Sequence, residues 1–594
     1  MPDEARAPGS ADERPIAPPR AAPYSTAMLA ALTANAVRGA FYPLLLARRG
    51  SLVPKGAWVE LTLDGPVTEL ERPMRRFRSP RELLMGGPAA KPPTTVAAVR
   101  ELCEAIAADD DVGGLLVTVR NVGCGSAVAT SLRDAFLALR AAGKKVVAWL
   151  PDGASTREYV VAVAADKVLA TPQATVAPLG YAAGMTFLRS LLARGGVEAE
   201  VFARREYKSA AEAFTRDSFS EANRRQTEAL LDRAYEAAVR AIAEGRKVDP
   251  DRARRAINEG PWRAPDAVRE GLLDATAYDD ELATHLDNAP KRVPARAYLA
   301  LARAMRFRPL GAERRVGVVE VRGPIVSEAG MAFGAVADAR RITGALRAAR
   351  EDRSLGAVVL HVDTRGGSAL ASDVIAREVE RLREKKPVVA YFADVAASGG
   401  YYVSALAREI VAQPLTVTGS IGVIALRLTA SRALEKVGVN HEVIRRGERA
   451  DLGSPFRALD DGDRAAFDRE IDGLYDDFVG VVARGRGRPA GEVEPLARGR
   501  VYAGVDAHAV GLVDHLGGLD VALARARALD GGRFAPEPVV VTPPRHTPPP
   551  AEAPAPVRAA LAAFGDAAGS LDLLTLLLSS PHDHLFAWED APGL

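Results

Sequence analysis

The sequence predicts an α/β protein made of two tandem copies of one βαβ unit. A chain of 594 residues is too long for a single hydrophobic core and suits two or more domains. The stretch KVVAWLPDGASTREYVVAVAA, from Lys145, aligns without a gap on PVVAYFADVAASGGYYVSALA, from Pro387, which indicates an internal duplication. Within each copy, β-branched runs alternate with segments of helical periodicity, the order that builds a mostly parallel sheet.

The duplication covers most of both copies at a single offset of 242 residues. GLLVTVRNVGCGSA, from Gly114, corresponds to GAVVLHVDTRGGSA, from Gly356, and each predicts a buried strand that runs into a glycine-rich turn. The same register continues as far as Phe214 and Phe456. Each copy opens with a strand that ends in Gly-Pro, VELTLDGPV in the first and VGVVEVRGPIV in the second.

These landmarks divide the chain into five segments. The Ala- and Arg-rich stretch Pro294–Met305 predicts a helical linker between the copies, and after about Pro536 the composition is that of an extended Pro-rich linker. The predicted segments are an N-terminal tail (1–50), the first repeat (51–290), a linker (291–312), the second repeat (313–536), and a Pro-rich linker with an apolar tail (537–594).

The composition argues against several classes of function. The 78 basic and 76 acidic residues are interspersed, so no field of one sign would attract nucleic acid. Cys103 and Cys124 form no CxxC pair and fit reduced, packed thiols. No phosphate-binding glycine motif opens a helix, and His508 and His515 lack a third ligand at a suitable spacing. We therefore expect no nucleotide, metal or other cofactor.

The N-terminal segment lacks the basic and apolar regions of a secretory signal. Ala27–Ala47 is apolar, but Asn35, Arg38 and Pro43 interrupt it and argue against a membrane span. Its apolar residues recur at helical spacing beside arginines. That pattern fits a helix at a membrane surface and a helix docked on the protein's own surface equally well, so a peripheral membrane contact stays open.

A serine distinguishes the second copy from the first. The second copy reads ASGGY around Ser398, where the first copy reads STREY. Ser398 follows a buried strand and should begin the next helix, where free backbone N–H groups favour a developing oxyanion. The glycines that follow, Gly399 first, would let a substrate backbone approach closely. Although a serine before two glycines is usually just a turn, this asymmetry makes Ser398 the candidate nucleophile and Gly399 a candidate oxyanion donor.

A lysine distinguishes the first copy from the second in the opposite sense. The first copy reads YKS around Lys208, where the second copy reads RAD. A serine hydroxyl needs a base, no histidine lies near Ser398 in the sequence, and lysine can serve if burial leaves it neutral. The two half-sites are therefore complementary. A further glycine-rich turn, Gly366-Gly367, follows a predicted strand and predicts either oxyanion donors or an ordinary tight turn.

At these residues the chain resembles signal peptide peptidases of the SppA type, also called protease IV, in their long, duplicated bacterial form. The resemblance covers roughly Val59 to Leu529 and is carried by DTRGGSALASDVI, ADVAASGGYYVSALA, TGSIGVI and REYKSAAEAFTRDSFSEANRRQ. It implies a crotonase-like or ClpP-like fold in each half and cleavage of signal-peptide remnants or other membrane-derived peptides. It also implies a homotetramer that encloses a chamber. From the N-terminal segment we expect a location at the bacterial inner membrane or in the cytoplasm.

The resemblance also implies roles for individual residues. It gives Ser398 as the nucleophile of an acyl-enzyme mechanism, Lys208 as the general base, and Gly366 or Gly367 as the oxyanion turn. Ser420, in TGSIG, would be the hydroxyl that orients the lysine, and this role comes from the resemblance alone.

The sequence departs from the family motifs at two positions, where Arg365 and Ala213 replace prolines. Two other functions stay open. An acyl-CoA hydratase or isomerase of the crotonase superfamily would share the fold and the glycine turn without needing a serine and a lysine together. A degenerate scaffold at a membrane surface would tolerate exchange of both residues. The sequence also leaves open whether the Ser–Lys dyad forms within one chain or between chains.

Overall fold

The computed structural model describes residues 26–70, 94–307, 314–328, 336–535, 538–542 and 585–586. Up to residue 307 the strands are β1 (Ala57–Thr68), β2 (Thr94–Thr95), β3 (Val112–Gly123), β4 (Lys145–Leu150), β5 (Ala154–Ser155), β6 (Lys167–Ala170), β7 (Thr175–Ala177), β8 (Glu198–Ala203), β9 (Trp262–Arg263), β10 (Ala275–Thr276) and β11 (Arg292–Pro294). The helices are α1 (Thr26–Leu52), α2 (Val96–Ala107), α3 (Ser126–Ala141), α4 (Thr156–Ala162), α5 (Arg189–Gly195), α6 (Glu212–Thr215), α7 (Glu221–Arg246), α8 (Pro250–Asn258), α9 (Ala264–Arg269) and α10 (Ala295–Met305), with a 3-10 helix at Asp279–His285.

From residue 314 onward the described strands are β12 (Arg315–Arg322), β13 (Ile325–Val326), β14 (Ala337–Asp338), β15 (Leu355–Thr364), β16 (Gly367–Ser368), β17 (Val388–Ala397), β18 (Glu409–Ala412), β19 (Val417–Gly419), β20 (Ile424–Thr429), β21 (Val501–Ala503), β22 (His515–Leu516), β23 (Val539–Val540) and β24 (Leu585–Phe586). The helices are α11 (Ala339–Glu351), α12 (Ala369–Arg383), α13 (Gly399–Ser404), α14 (Ser431–Lys436), α15 (Asp461–Arg486), α16 (Ala490–Val493), α17 (Gly504–Ala509) and α18 (Leu519–Asp530), with a 3-10 helix at Glu494–Leu496.

Each copy is built on a mainly parallel sheet. In the first copy the strand order is β10-β6-β4-β3-β1-β11, and in the second it is β21-β19-β17-β15-β12-β23. In the second copy β18 also pairs with another part of β17, and β22 pairs with β18. Strand β15 reads LGAVVLHVDT and is buried at nearly every position, because helices cover both faces of the sheet. The predicted α/β duplication is confirmed.

One strand of the first copy belongs to a sheet of the second copy. Strand β8 pairs antiparallel with β20, from Glu198 opposite Thr429 to Ala203 opposite Ile424. The two strands lie at one edge of a six-stranded sheet of order β14-β13-β16-β24-β20-β8. This pairing carries the residues that follow β8 into the second copy.

The two copies also meet through buried polar groups. The Tyr391 hydroxyl donates to Glu69 Oε1 over 2.7 Å, and Gln413 Nε2 donates to Ser131 Oγ over 2.5 Å. Burial raises the pKa of Glu69 to about 7. Because a buried polar group without a partner costs free energy, these bonds fix how the copies pack on each other.

The cysteines are packed as predicted, and two of the predicted segment boundaries differ in the structure. Cys103 and Cys124 are free, and burial raises the pKa of both thiols, as expected for packed cysteines. Arg292–Pro294, inside the predicted linker, forms β11 of the first sheet, and Val539–Val540 forms β23 beside β12 rather than extended linker. Most of the predicted Pro-rich linker and apolar tail lies outside the described residues.

Helix α1 contains the amphipathic stretch. It docks on the body of the protein, where the Tyr42 ring lies 5.6 Å from that of Phe307. On its other side Val37, Phe41 and Leu44 are each more than half exposed. Among the helices that the structure describes, none combines the length and the apolar character needed to cross a bilayer.

Candidate active site

Ser398 lies in a strained turn between strand β17 and helix α13. Its φ of 55° and ψ of −116° are unusual for a residue with a side chain. The backbone is held there because Ser398 N donates to Gly419 O over 2.8 Å and Ser398 O accepts from Tyr402 N over 2.9 Å. The side chain makes no capping bond to its own helix, although serine usually does so at such a position. The hydroxyl is therefore free to meet a partner from elsewhere.

Lys208 reaches Ser398 from the first copy. The residues after β8 run along the second copy, where Tyr207 N donates to Arg498 O. Nζ of Lys208 lies 2.9 Å from Ser398 Oγ, 3.0 Å from Ser420 Oγ and 3.0 Å from Ser420 O. The structure thus brings the three side chains singled out in the sequence together, and it does so within one chain.

The electrostatics of this cluster follow from burial. Ser398 and Ser420 have no exposed surface, and Lys208 is 5% exposed. Burial lowers the pKa of Lys208 to about 7, because the charged ammonium loses its water. At neutral pH a large fraction of this lysine is therefore uncharged and able to accept a proton.

The glycine turn lies directly beside the nucleophile. Gly366 and Gly367 have φ values of 103° and 155°, and a Cβ added to Gly399 would lie 3.3 Å from Gly367 N. Gly366 N already donates to Thr364 Oγ1 over 3.0 Å. Of the three glycines predicted as oxyanion donors, Gly367 and Gly399 are therefore better candidates than Gly366.

Comparison with known protein families assigns the chain. The sequence model of Peptidase family S49 matches residues 138–292 and 380–532, one segment in each copy, and together they make up more than half of the chain. This chain belongs to peptidase family S49. The first matched segment of the S49 chain contains Lys208, and the second contains Ser398 and Ser420.

The S49 chain is similar to proteins of a plant and of a bacterium. It is 31% identical to Serine protease SPPA, chloroplastic, of Arabidopsis thaliana over 429 residues, 70% of this chain and 63% of that protein. It is 30% identical to Protease 4 of Salmonella typhi over 439 residues, 71% of this chain and 70% of that protein. The chain therefore spans less than two thirds of the plant relative. A solved ClpP1 mutant from Listeria monocytogenes overlaps at a TM-score of 0.24 with 14% identity, covering 35% of this chain and 94% of that chain.

Two supporting residues of the S49 chain were not singled out in the sequence. Gln226, on α7, donates to Ser209 Oγ over 3.0 Å and accepts from Val501 N over 3.3 Å, which ties the lysine segment to β21. Gly499 has a φ of 77°, and a Cβ there would lie 2.6 Å from Lys208 N. A buried amide in a polar helix and a glycine between two arginines are weak signals in one sequence, so neither could have been found without the fold.

The corresponding site of the first copy is closed by its own side chains. Arg157 and Glu158 stand where the second copy has two glycines. Both bind the backbone of Val122, near the end of strand β3. Glu158 Oε1 accepts from Val122 N over 3.0 Å, and Arg157 donates to Val122 O over 3.2 Å. The two glycines that follow Ser398 therefore have no counterpart in the first copy.

The turn of the first copy instead holds a carboxylate of the second copy. Asp394 accepts backbone hydrogen bonds from Gly125, Ala127 and Val128 at the start of α3, over 3.0, 3.1 and 3.2 Å. Gly125 occupies the repeat position of Gly367. A helix N-terminus favours a negative charge, although burial raises the pKa of Asp394 to about 6. The turn of the first copy thus anchors the two copies to each other.

Proposed function

We propose that this S49 chain is a serine endopeptidase that uses Ser398 as nucleophile and Lys208 of the same chain as general base. The observation that carries the proposal is the 2.9 Å separation of Lys208 Nζ and Ser398 Oγ in a buried site. Family membership and the similarity to proteins named as proteases support it.

The geometry fits an acyl-enzyme mechanism. Neutral Lys208 would take the proton from Ser398 Oγ as the oxygen attacks the substrate carbonyl. The amides of Gly367 and Gly399 would stabilise the negative oxygen of the tetrahedral intermediate. Lys208 would return the proton to the leaving amine, and a water molecule activated by the same lysine would then release the acyl group from Ser398.

Ser420 would hold the lysine in place during these steps. Its Oγ and its carbonyl oxygen both lie 3.0 Å from Nζ, so the amine has two hydrogen-bond partners besides Ser398. The position of Ser420 is itself fixed, because its φ is 50° and its N–H donates to Arg500 O over 2.7 Å. Ser420 would therefore act as a positioning residue.

The substrate would be an extended peptide. Strands β16 and β20 lie on either side of one intervening strand position, next to the glycine turn. A peptide that fills such a position gains backbone hydrogen bonds from both neighbours, which suits substrates of varied sequence. Together with the family resemblance, this favours signal-peptide remnants and other membrane-derived or unfolded peptides. A hydratase or isomerase acting on acyl-CoA would not need a buried lysine within hydrogen-bond distance of a serine hydroxyl.

We also propose that copies of the chain assemble head to tail. Strand β8 of the first copy pairs with β20 of the second, and the repeat-equivalent segments are 440–445 and 182–187. Neither of these has a strand partner among the described residues, and Val443 and Ile444 are exposed. A neighbouring chain could join them by the same pairing, and a ring closes if the rotation allows it, consistent with the tetramer that the resemblance implies.

The assembly can be tested by light scattering. We expect the wild-type chain to be oligomeric and Ile444→Arg to lower the molar mass toward that of a single chain, because a charge would be placed inside the junction. Leu370→Arg, at a residue that is 62% exposed on α12, serves as the control. A monomeric wild type, or no difference between the two variants, would contradict the head-to-tail assembly.

The apolar, exposed side of α1 supports a contact with a membrane surface, and we propose a location at the bacterial inner membrane or in the cytoplasm. Binding of the purified chain to lipid vesicles would test the membrane contact, with Phe41→Ser expected to weaken it. Equal binding of both chains would count against it.

Labelling of Ser398 at different pH values tests the proposed chemistry. An acylating peptide ester should form an adduct on Ser398 at a rate that falls about tenfold per pH unit below pH 7 and levels off above it. The reason is that the pKa of Lys208 is about 7 and only the neutral amine can act as a base. Mass spectrometry of the adduct over time measures the rate, and Ser398→Ala is the blank.

Lys208→Ala should be labelled slowly and without this pH dependence. A wild-type rate that does not change between about pH 5 and 8, or an adduct on another residue, would refute the proposed dyad.

A further inference from the structure

A segment of the chain's own C-terminal tail lies in the strand position next to the candidate nucleophile. Strand β24 runs antiparallel to β16, with Phe586 opposite Gly367 and Leu585 opposite Ser368. It also runs antiparallel to β20, with Leu585 opposite Ile424. The tail therefore joins two strands that would otherwise be separated by a gap beside Ser398.

The width of this gap suits a single extended chain. Neighbouring strands lie about 4.8 Å apart, so β16 and β20 are about 10 Å apart and leave room for one strand only. Both edges offer backbone groups that need hydrogen-bond partners. A peptide substrate and the tail would therefore use the same backbone groups and could not be bound together.

We propose that the tail segment at Leu585–Phe586 is a pseudosubstrate that competes with peptides for this groove. The inference rests on the proposed peptidase function, because the groove is the one assigned there to the substrate. Leu585 and Phe586 begin the sequence LFAW, which is apolar like the membrane-derived peptides proposed as substrates. Residues 543–584 connect the segment to β23, and a chain of this length is long enough to reach the groove, since each residue can span up to about 3.3 Å.

The expected strength of the competition follows from simple magnitudes. A strand of two residues forms few backbone hydrogen bonds, each with a net contribution of about 1 kcal/mol. The covalent connection compensates, because a tethered segment has an effective concentration on the order of millimolar. The tail should therefore be a weak competitor that substrate displaces, which raises the apparent KM and leaves kcat unchanged.

Proline substitutions in the full-length chain test the pseudosubstrate. Leu585→Pro with Phe586→Pro removes both backbone donors of β24, because proline has no N–H. We expect the apparent KM for a peptide ester to fall by roughly threefold or more, with kcat unchanged. Ala551→Pro with Ala553→Pro, in the same tail, is the matched control and should behave as the wild type.

A binding measurement keeps this test separate from the test of the peptidase function. In chains that also carry Ser398→Ala, fluorescence anisotropy gives the Kd of a labelled, non-hydrolysed peptide. The Leu585→Pro, Phe586→Pro chain should bind it about threefold or more tightly than the control. Equal Kd values in the two chains would overturn the pseudosubstrate. If no chain hydrolyses the ester, the proposed function fails, and the Kd comparison still decides whether the tail occupies the groove.

Discussion

Replacing Ser398 or Lys208 by alanine should lower kcat/KM for a peptide ester by roughly 10⁴-fold or more, with the fold intact. Ser398 would supply the attacking oxygen and Lys208 the base, so neither is useful without the other. For the same reason the double variant should be no slower than either single variant. Steady-state hydrolysis measures the loss, and thermal unfolding checks the fold.

Thr156→Ala is the matched control, because Thr156 occupies the repeat position of Ser398 in the first copy. Alanine there would remove two hydrogen bonds, in which Thr156 Oγ1 donates to Gly180 O and accepts from Gly180 N. This variant should retain near wild-type activity. Substantial turnover by either Ser398→Ala or Lys208→Ala would refute the dyad.

Mixing the two inactive chains adds a second check. Both residues of the dyad come from one chain, so mixtures of Ser398→Ala with Lys208→Ala should stay inactive in any assembly. Restored activity in the mixture would show that chains exchange half-sites.

Gly367→Ala should lower kcat by about 10²- to 10³-fold, the usual cost of losing an oxyanion donor. The φ of Gly367 is 155°, and a Cβ at this position would lie 2.1 Å from Ile325 O. The turn must therefore move, and the Gly367 amide with it. The measurement is kcat on the peptide ester together with the rate of adduct formation on Ser398.

Gly531→Ala is the control for backbone strain. Gly531 ends helix α18 with a φ of 68°, and a Cβ there would have no heavy atom within 4 Å. Gly531→Ala should lose about 1 kcal/mol of stability, because alanine disfavours this positive φ. Gly367→Ala should lose more, because its Cβ would also meet the backbone of Ile325. Only Gly367→Ala should lose rate. An unchanged kcat in a folded Gly367→Ala chain would remove this amide from the proposed mechanism.

The sequence allowed the duplicated α/β fold and the residues of the candidate site to be predicted, because the two copies act as references for each other. Ser398 and Lys208 each stand out against a position that lacks them. The order of strands and helices could also be predicted, because it follows from local periodicity and both copies show the same order.

The exchange of β8 could not be predicted in this way. EAEVFA, which forms β8, and its repeat equivalent NHEVIR both look like ordinary strands, and only the first is paired. The choice of partner depends on how the copies pack, which involves residues far apart in the chain. The role of Asp394 could not be predicted for the same reason. In the sequence it is only an aspartate that both copies have at the same repeat position, as Asp152 and Asp394.

The closed turn of the first copy has an evolutionary consequence. Placing a serine at Thr156 would not create a second site, since Arg157 and Glu158 stand where the second copy has glycines and Asp394 occupies the backbone amides of the turn. Removing Asp394 would in turn weaken the packing on which the surviving site depends. A second working site would therefore require several changes at once, at Thr156, at Arg157 and Glu158, and at Asp394.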